Sequence, residues 1–243
     1  MPAEKPLHIL TIGGHAADQE LAAGLIIAKA TRRGHRVTVL SLTPGERGHA
    51  RLSAEAYAAQ KRREAEACCR ELGASCIVLD YKDAELPYND EVAFVVCDYI
   101  RALKPDVVIT HWQNSIHKDH RHAHLVARDA LFYAALPRIE RELPAHWVRQ
   151  VYYSENWEDM EGYTPDLYVE IDEATLAQYD RALAKFELWN GGTGWPYRDY
   201  YLSLARMRGC LGGALRWRYG ATLKLPEGAK VDRYGGERLP FGA

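Results

Sequence analysis

The chain has 243 residues, of which 47% are hydrophobic and 26% are charged. A chain of this length and apolar content can bury a sizeable core, which excludes a largely disordered protein and favours one globular domain. Its 31 lysines and arginines against 33 aspartates and glutamates give a formal net charge of −2. This balance excludes a general nucleic-acid binder or a membrane-surface protein.

The lengths of the apolar stretches and the spacing of the cysteines argue against further classes of protein. There is no stretch of about 18 uncharged apolar residues, so we expect no membrane span, and residues 1–5 lack the layout of a secretory signal. None of the five cysteines falls in a Cys-x-x-Cys pair, which argues against a disulfide framework or a cysteine zinc site. We therefore expect buried thiols in a cytoplasmic protein.

Short β-branched or aromatic runs alternate with helical patterns over the first 155 residues. The predicted strands are residues 7–12, 36–43, 76–81, 106–110 and 149–154, and the predicted helices are about 17–33, 53–73, 90–103 and 120–135. Such alternation indicates βαβ crossovers, and the continuous apolar character of the strands indicates burial on both faces. The predicted fold class is α/β, a Rossmann-like, mostly parallel sheet with helices on both faces.

The pattern loosens after residue 155. A strand at 166–171 and helices at 173–190 and 197–215 are predicted, and the chain from 226 onward is rich in glycine, proline and charge. We predict one domain over residues 1–225, with a core at 1–155, a C-terminal helical extension at 156–225 and a surface tail at 226–243. Aromatic residues of the extension are expected to pack the last helices, and they also suit self-association into a homo-oligomer.

Polar side chains gather directly after the predicted strands. Residues 13–20, 44–49, 111–124 and 155–159 carry them, and five of the ten histidines lie within 111–124. Because ligands bind beyond the carboxyl ends of strands in an open parallel sheet, we expect a site at this edge. A dinucleotide is disfavoured, since Gly13, Gly14 and His15 follow the first strand without a Gly-x-Gly-x-x-Gly pattern.

A metal fits this edge better than a nucleotide. His15 and Asp18 are three residues apart at a strand-to-helix turn, and a third ligand from the histidine cluster would complete a common catalytic zinc set. Iron or manganese could use the same residue types. The competing interpretations are a backbone-satisfied strand end for His111 and a solvated helix face for His122 and His124.

Three segments together resemble the PIG-L/LmbE-like family of zinc-dependent de-N-acetylases. His15-Ala16-Ala17-Asp18-Gln19-Glu20 is similar to the family's His-Pro-Asp-Asp-x-Glu motif, and His117-Lys118-Asp119-His120 to its His-Pro-Asp-His motif. The helix from Arg62-Arg63-Glu64 to Glu71-Leu72-Gly73 also follows the family pattern. The resemblance covers about 7–49, 57–73 and 105–128 and continues more weakly to the end.

The resemblance implies site residues and a cofactor. Zinc is expected on His15, Asp18 and His120. His117 is expected to stabilise the acyl oxyanion or to act as general acid, with Asp119 orienting it. The implied reaction is hydrolysis of an N-acyl group from an amino-sugar conjugate or similar amide, so the expected partner is a small-molecule substrate.

Ala17 departs from the family motif, whose first Asp is the general base. An alanine methyl cannot take a proton, and general-base catalysis contributes about 10²–10⁴-fold. Three explanations stay open: Glu46 replaces the base, the substitution is an engineered inactivation, or the reaction differs. The third would make the chain a hydratase or lyase acting on a small unsaturated acid, as in a branch of the superfamily that also lacks this Asp. Ala16 stands where the family motif has Pro. Because an engineered inactivation usually changes one residue, this second difference favours a natural subfamily.

Substrate contacts are expected from four residues. Arg47 lies next to Glu46 and suits a carboxylate or polar group, because its guanidinium is a rigid fork of donors. Arg62 belongs to the helix signature, and Asn156 and Trp157 follow the fifth strand. A metal-containing binding relative without strong catalysis is the third functional alternative.

Overall fold

A computed structural model describes residues 5–156, 162–213 and 216–227. The strands are β1 (His8–His15), β2 (Arg36–Thr43), β3 (Ser75–Val78), β4 (Val107–His111), β5 (Gln150–Ser154), β6 (Leu167–Ile171) and β7 (Tyr219–Leu223). The helices are α1 (Asp18–Ala22), α2 (Gly24–Arg32), α3 (Ala54–Leu72), α4 (Asp90–Leu103), α5 (Lys118–Ala135), α6 (Glu173–Leu183) and α7 (Tyr197–Gly212). In the described residues, no helix is both long and apolar enough to cross a membrane.

The central sheet has the order β3-β2-β1-β4-β5, and all its pairings are parallel. Strand β1 lies in the middle, and all of its residues are buried. His15 lies opposite Thr43 of β2, and Ile12 lies opposite Thr110 of β4, so the carboxyl ends of the three strands meet at one edge. The chain leaves β1 for β2 on one side and reaches β4 on the other, which makes a crevice at this edge.

The alternating side chains of the strands feed two hydrophobic cores. Ile9 joins the core that includes Ile26 of α2, Cys68 of α3 and Tyr179 of α6. Leu10 packs in the core on the opposite face of the sheet, with α4 and α5. The prediction of an α/β fold with helices on both faces is therefore confirmed.

The C-terminal extension contains two strands beside its helices, of which β6 was predicted at 166–171 and β7 was not. Strands β6 and β7 pair antiparallel, and the backbones of Tyr153 and Lys224 exchange hydrogen bonds of 2.8 and 2.9 Å. The extension is thereby attached to the edge of the main sheet at β5. Strand β7 escaped prediction because its partners lie far away in sequence.

Two predicted helices are each divided into shorter elements. The helix predicted at 17–33 is interrupted at Ala23, after which Gly24 lies so close to Tyr179 that a β-carbon would be 2.6 Å from the ring. The helix predicted at 173–190 ends at Leu183, and a 3₁₀-helix follows at Glu187–Asn190. Tertiary packing therefore sets these breaks more than local propensity does.

Candidate active site

Asp18 brings together the three predicted metal ligands. Its Oδ2 lies 3.1 Å from His15 Nδ1 and 3.2 Å from His120 Nε2. The same oxygen lies 3.2 Å from His111 Nε2 and accepts the backbone N–H of His15 at 2.7 Å. His15 ends β1, Asp18 begins α1 and His120 lies in the first turn of α5, so the edge of the sheet assembles this group.

Two further carboxylates lie on the other side of the His15 ring. Asp83 Oδ1 is 3.1 Å and Asp119 Oδ2 is 3.3 Å from His15 Nε2. The ring is buried, with 9% of its side chain exposed, and the Asp119 side chain is fully buried. His15 therefore lies between three carboxylates at the centre of the cluster.

The electrostatics of the cluster favour a positive charge at its centre. Burial by itself lowers the pKa of His15, but Asp18, Asp119 and Asp83 outweigh it and raise this pKa well above its usual value. Burial opposes ionisation of Asp18, yet the neighbouring histidines, His120 first, hold its pKa well below the usual range. Burial lowers the pKa of His120 to about 4, so the ring is neutral near pH 7 and its nitrogen is available as a metal ligand.

These residues fit a divalent metal ion. Histidine nitrogens and carboxylate oxygens are the donors that zinc takes in catalytic sites. Within the described residues, the buried Oδ1 of Asp119 has no hydrogen-bond partner, and such an atom is costly unless something binds it. A cation at the cluster would offset the three carboxylates, since buried charges need compensation.

His117 lies at the open side of the cluster. It precedes α5, and its Nδ1 accepts the backbone N–H of Asp119 at 3.2 Å. Burial lowers the pKa of His117, so the ring is neutral near pH 7, and its proton must then be on Nε2. That nitrogen lies 3.8 Å from Asp83 Oδ1. The Asp119 carboxylate accepts from Ala84 N instead, so it does not hold the His117 ring as expected.

Glu46 holds a neighbouring loop and does not face the cluster. Its carboxylate accepts the backbone N–H of Asp83 at 3.0 and 3.3 Å, and the Asp83 carboxylate accepts that of Arg47 at 3.0 Å. The exposed guanidinium of Arg47 pairs with Glu85 at 2.7 Å. The two loops thus clamp each other, and the carboxylate presented to the cluster is Asp83.

The three other residues that were predicted to contact substrate do not lie together. Arg62 donates to the carbonyl oxygens of Val78 and Leu79 at 2.5 and 3.0 Å, so the structure uses it to hold the end of β3. Asn156 lines the cavity, and its Oδ1 lies 2.7 Å from His111 Nδ1. Trp157 lies outside the described residues.

The two remaining cluster histidines differ from each other. His124 is only 2% exposed, and its Nδ1 bonds the carbonyl oxygen of His111 at 2.8 Å, so the prediction of a solvated face is wrong for it. His122 is half-buried and bonds the carbonyl oxygen of Leu86 at 2.7 Å. Each ring finds a carbonyl acceptor, which explains how histidine is tolerated there.

The cluster forms the floor of a cavity of about 170 Å³. Sequence reasoning missed Asp83, Lys61 and Tyr57 in its wall, together with Leu188, Thr193, Tyr197 and Tyr201 from the extension. Asp83 could have been found, because it follows β3 as the predicted site residues follow β1, β2 and β4. The extension residues carry no such local signal, since only the folded chain brings them over the sheet edge.

Residues 10–131, about half of the chain, match the model of the PIG-L family, described as GlcNAc-PI de-N-acetylase. The chain belongs to the PIG-L family. The diacetylchitobiose deacetylase of Thermococcus kodakarensis is 30% identical over 178 residues, which are 68% of this chain and 64% of that relative. The chain thus spans less than two thirds of this relative's length.

Two solved structures share the fold of this PIG-L protein. A conserved protein of Thermus thermophilus has a TM-score of 0.81 at 23% identity, covering 96% of this chain and 100% of that one. The 4-carboxy-2-hydroxymuconate hydratase GalB of Pseudomonas putida has a TM-score of 0.80 at 22% identity, covering 90% and 95%. Together they confirm the fold, and the family match confirms the resemblance found in the motifs.

Proposed function

We propose that this PIG-L protein is a zinc-dependent hydrolase that removes an N-acetyl group from an amino-sugar conjugate. The observation that carries the proposal is the convergence of His15, Asp18 and His120 at the sheet edge, beside His117 and Asp83. The family match and the similarity to a deacetylase support the reaction class.

His15, Asp18 and His120 would hold the zinc ion, which supplies polarisation of the acyl oxygen and a more acidic water. His117 presents Nε2–H to the cavity and is suited to donate to the acyl oxygen as negative charge develops there. The proton for the leaving amine comes from the carboxyl group that has taken it from water, because a neutral ring that lost its Nε2 proton would become an imidazolate. The backbone N–H of Asp119 donates to Nδ1 of His117 and fixes this tautomer, so the Nε2–H donor is oriented before substrate arrives.

Asp83 is the carboxylate best placed to replace the missing base. Burial would raise its pKa, but His15 and the backbone N–H of Arg47 lower it to about 2, so the group is ionised near neutral pH. Its Oδ1 faces both His15 and His117, whereas Glu46 is engaged with the backbone. We assign to Asp83 the acceptance of a proton from water, and to Glu46 the positioning of Asp83.

One observation supports the alternative that the protein is a hydratase or lyase. Ala17 lines the cavity and offers no carboxylate where an amidase of this family has one. Arg47, which a carboxylate substrate would need, is paired with Glu85 on the surface. For this reason we rank the hydratase second, and a metal-containing binding relative third.

The state of the cysteines supports a proposal about the cellular location. All five are free thiols, and a cytoplasmic location suits them because that compartment is reducing. A small-molecule substrate suits a cavity of about 170 Å³. Self-association stays a prediction.

The proposal is tested by acetate release from a panel of N-acetylated amino sugars, with small unsaturated acids assayed in parallel for hydration. We expect acetate from at least one sugar and a loss of about 10²-fold or more in His117→Ala. Hydration of an acid without any acetate release would replace the proposal by the second alternative. Metal binding with neither activity would leave the third.

A further inference from the structure

A second group of ligand-type side chains lies apart from the histidine cluster. Glu20 of α1, Cys69 of α3 and Cys76 of β3 place one donor atom each within 4.8 Å of one another. We refer to these three residues as the thiol–carboxylate cluster. The proposed reaction uses none of them.

The spacing of the three donors is near that of a metal site. The Cys69 sulfur lies 4.0 Å from Glu20 Oε1, and the Cys76 sulfur lies within 4.8 Å of the Cys69 sulfur and of a Glu20 carboxylate oxygen. Zinc bonds of about 2.3 Å to sulfur and 2.0–2.2 Å to oxygen place tetrahedral donors roughly 3.5–3.8 Å apart. Small side-chain movements would therefore bring all three donors onto one ion.

The two oxygens of the Glu20 carboxylate differ in their contacts. The residue is fully buried, and among the described residues its Oε2 has no hydrogen-bond partner. An unsatisfied buried carboxylate oxygen is costly, so such an atom calls for an explanation. A cation bound between the carboxylate and the two sulfurs would satisfy it.

The charges around the cluster also accept a cation. Two thiolates, one carboxylate and a divalent ion leave one negative charge, and the buried ammonium of Lys61 interacts with Glu20. Lys61 also interacts with Asp18, Glu64 and Asp83, which add further negative charge nearby. The surroundings therefore do not repel a divalent ion.

We propose that Glu20, Cys69 and Cys76 form a second metal site, which takes a thiophilic divalent cation of the zinc and cadmium type. Paired sulfurs select soft or borderline ions over magnesium or calcium, in contrast to the nitrogen and oxygen donors around Asp18. Cys76 is half-buried on β3, the edge strand of the main sheet, and gives the ion a route inward. Glu20 lies two residues after Asp18 on the same helix, so the second site lies directly behind the first.

The test is a cadmium titration of the reduced 243-residue protein, monitored by the ultraviolet charge-transfer band of cadmium bound to thiolate. The histidine cluster contains no sulfur, so the band reports only a cysteine site, whether or not the protein deacetylates sugars. We expect the band to saturate at one thiolate-bound cadmium per chain. Cys69→Ser and Cys76→Ser should each abolish it or weaken cadmium binding by 100-fold or more.

The matched control is Cys210→Ser, because Cys210 is exposed and lies outside the cluster. This variant should keep the full band. Circular dichroism checks folding, and if Cys69→Ser does not fold, the half-buried Cys76→Ser decides. Absence of the band in the reduced wild type, or its persistence in a folded Cys76→Ser protein, would overturn the second site.

Discussion

Ala17 combines an unusual backbone with a missing functional group. Its φ of 89° is left-handed, a conformation that costs a non-glycine residue about 1–2 kcal/mol, and the residue lies in the cavity wall. Aspartate and asparagine tolerate this region better than alanine does. The Asp that the family motif has here would therefore adopt this backbone conformation with less strain than Ala17 does.

Restoring that carboxylate gives the first prediction. Ala17→Asp should raise acetate release a few-fold, because it adds a carboxylate beside the predicted ligands to the base that Asp83 already supplies. Ala17→Asn is the matched control, with a similar shape and no basic oxygen, and should change the rate little. If Ala17→Asp leaves acetate release unchanged and impairs hydration of an unsaturated acid, the reaction is that of a hydratase.

Amide variants of Asp83 and Glu46 distinguish between these two candidates for the general base. Asp83→Asn should lower kcat by about 10²-fold, since the amide cannot accept the proton. Glu46→Gln should lower it only a few-fold, because the amide oxygen can still accept the Asp83 N–H. Steady-state kinetics on both variants check this, and a large loss of kcat in Glu46→Gln with little loss in Asp83→Asn would assign the base to Glu46 instead.

The sequence predicted the residues that local spacing brings together. His15 and Asp18 share one turn, and His117 and His120 share the start of one helix, so motif spacing was enough to find them. Asp83 enters the same cluster from the loop after β3, where no family motif was recognised. Arg62 shows the reverse error, because a motif residue is used to hold two backbone carbonyls.

At the scale of elements, a buried ion pair secures the end of the extension. Glu155 follows β5 and accepts from Arg208 of α7 and from Thr222 of β7 at 3.2 Å. Arg208→Met should lower the free energy of unfolding by about 3 kcal/mol, because it leaves the Glu155 carboxylate buried without its partner.

Urea unfolding measures this loss. The double variant Arg208→Met/Glu155→Gln is the control, and it should recover most of the stability because no buried charge is left unpaired. An unchanged midpoint in the single variant would show that the pair does not secure the extension.

Helix α5 carries a pH-dependent contribution to stability. Burial lowers the pKa of His124 to about 4 in the folded protein, below the ordinary value of 6.5. Between these values the unfolded chain binds a proton that the folded chain does not, so stability falls as the pH drops from 6.5 towards 4. From pH 7 to pH 5 this group contributes a loss of about 2 kcal/mol.

Replacing this side chain isolates its contribution. The free energy of unfolding of His124→Asn should fall by about 2 kcal/mol less than that of the wild type between pH 7 and pH 5. Both proteins are measured by urea unfolding after chelator treatment. Parallel pH profiles of the two proteins would contradict a neutral buried His124.

Elements with strong periodic patterns were predictable, and those set by distant contacts were not. The bounds of β2 agree with the prediction, since a short apolar run buried on both faces has a clear pattern. Strand β7 depends on pairing with β6 across the whole of α6 and α7. The break at Ala23 depends on the Tyr179 ring of α6, which no local window contains.

At the scale of the whole molecule, the parallel sheet determines where chemistry can occur. The edge where β1, β2 and β4 end collects three carboxylates and four histidines from segments that are distant in sequence. The extension lays Leu188, Tyr197 and Tyr201 over that edge and turns an open crevice into a cavity. The family fold therefore supplies the predicted ligands, and the extension supplies part of the wall that substrate would meet.

The most direct test of the account measures bound metal and acetate release on the same preparations of wild type and Asp18→Asn. Asp18 contacts His15, His111 and His120, so its carboxylate is the centre of the predicted ligand set. The account predicts zinc and acetate release in the wild type, with both lost together in Asp18→Asn and acetate release lost on chelation and regained with zinc. Acetate release that persists in metal-free protein, or full zinc binding at the histidine cluster in Asp18→Asn, would contradict it.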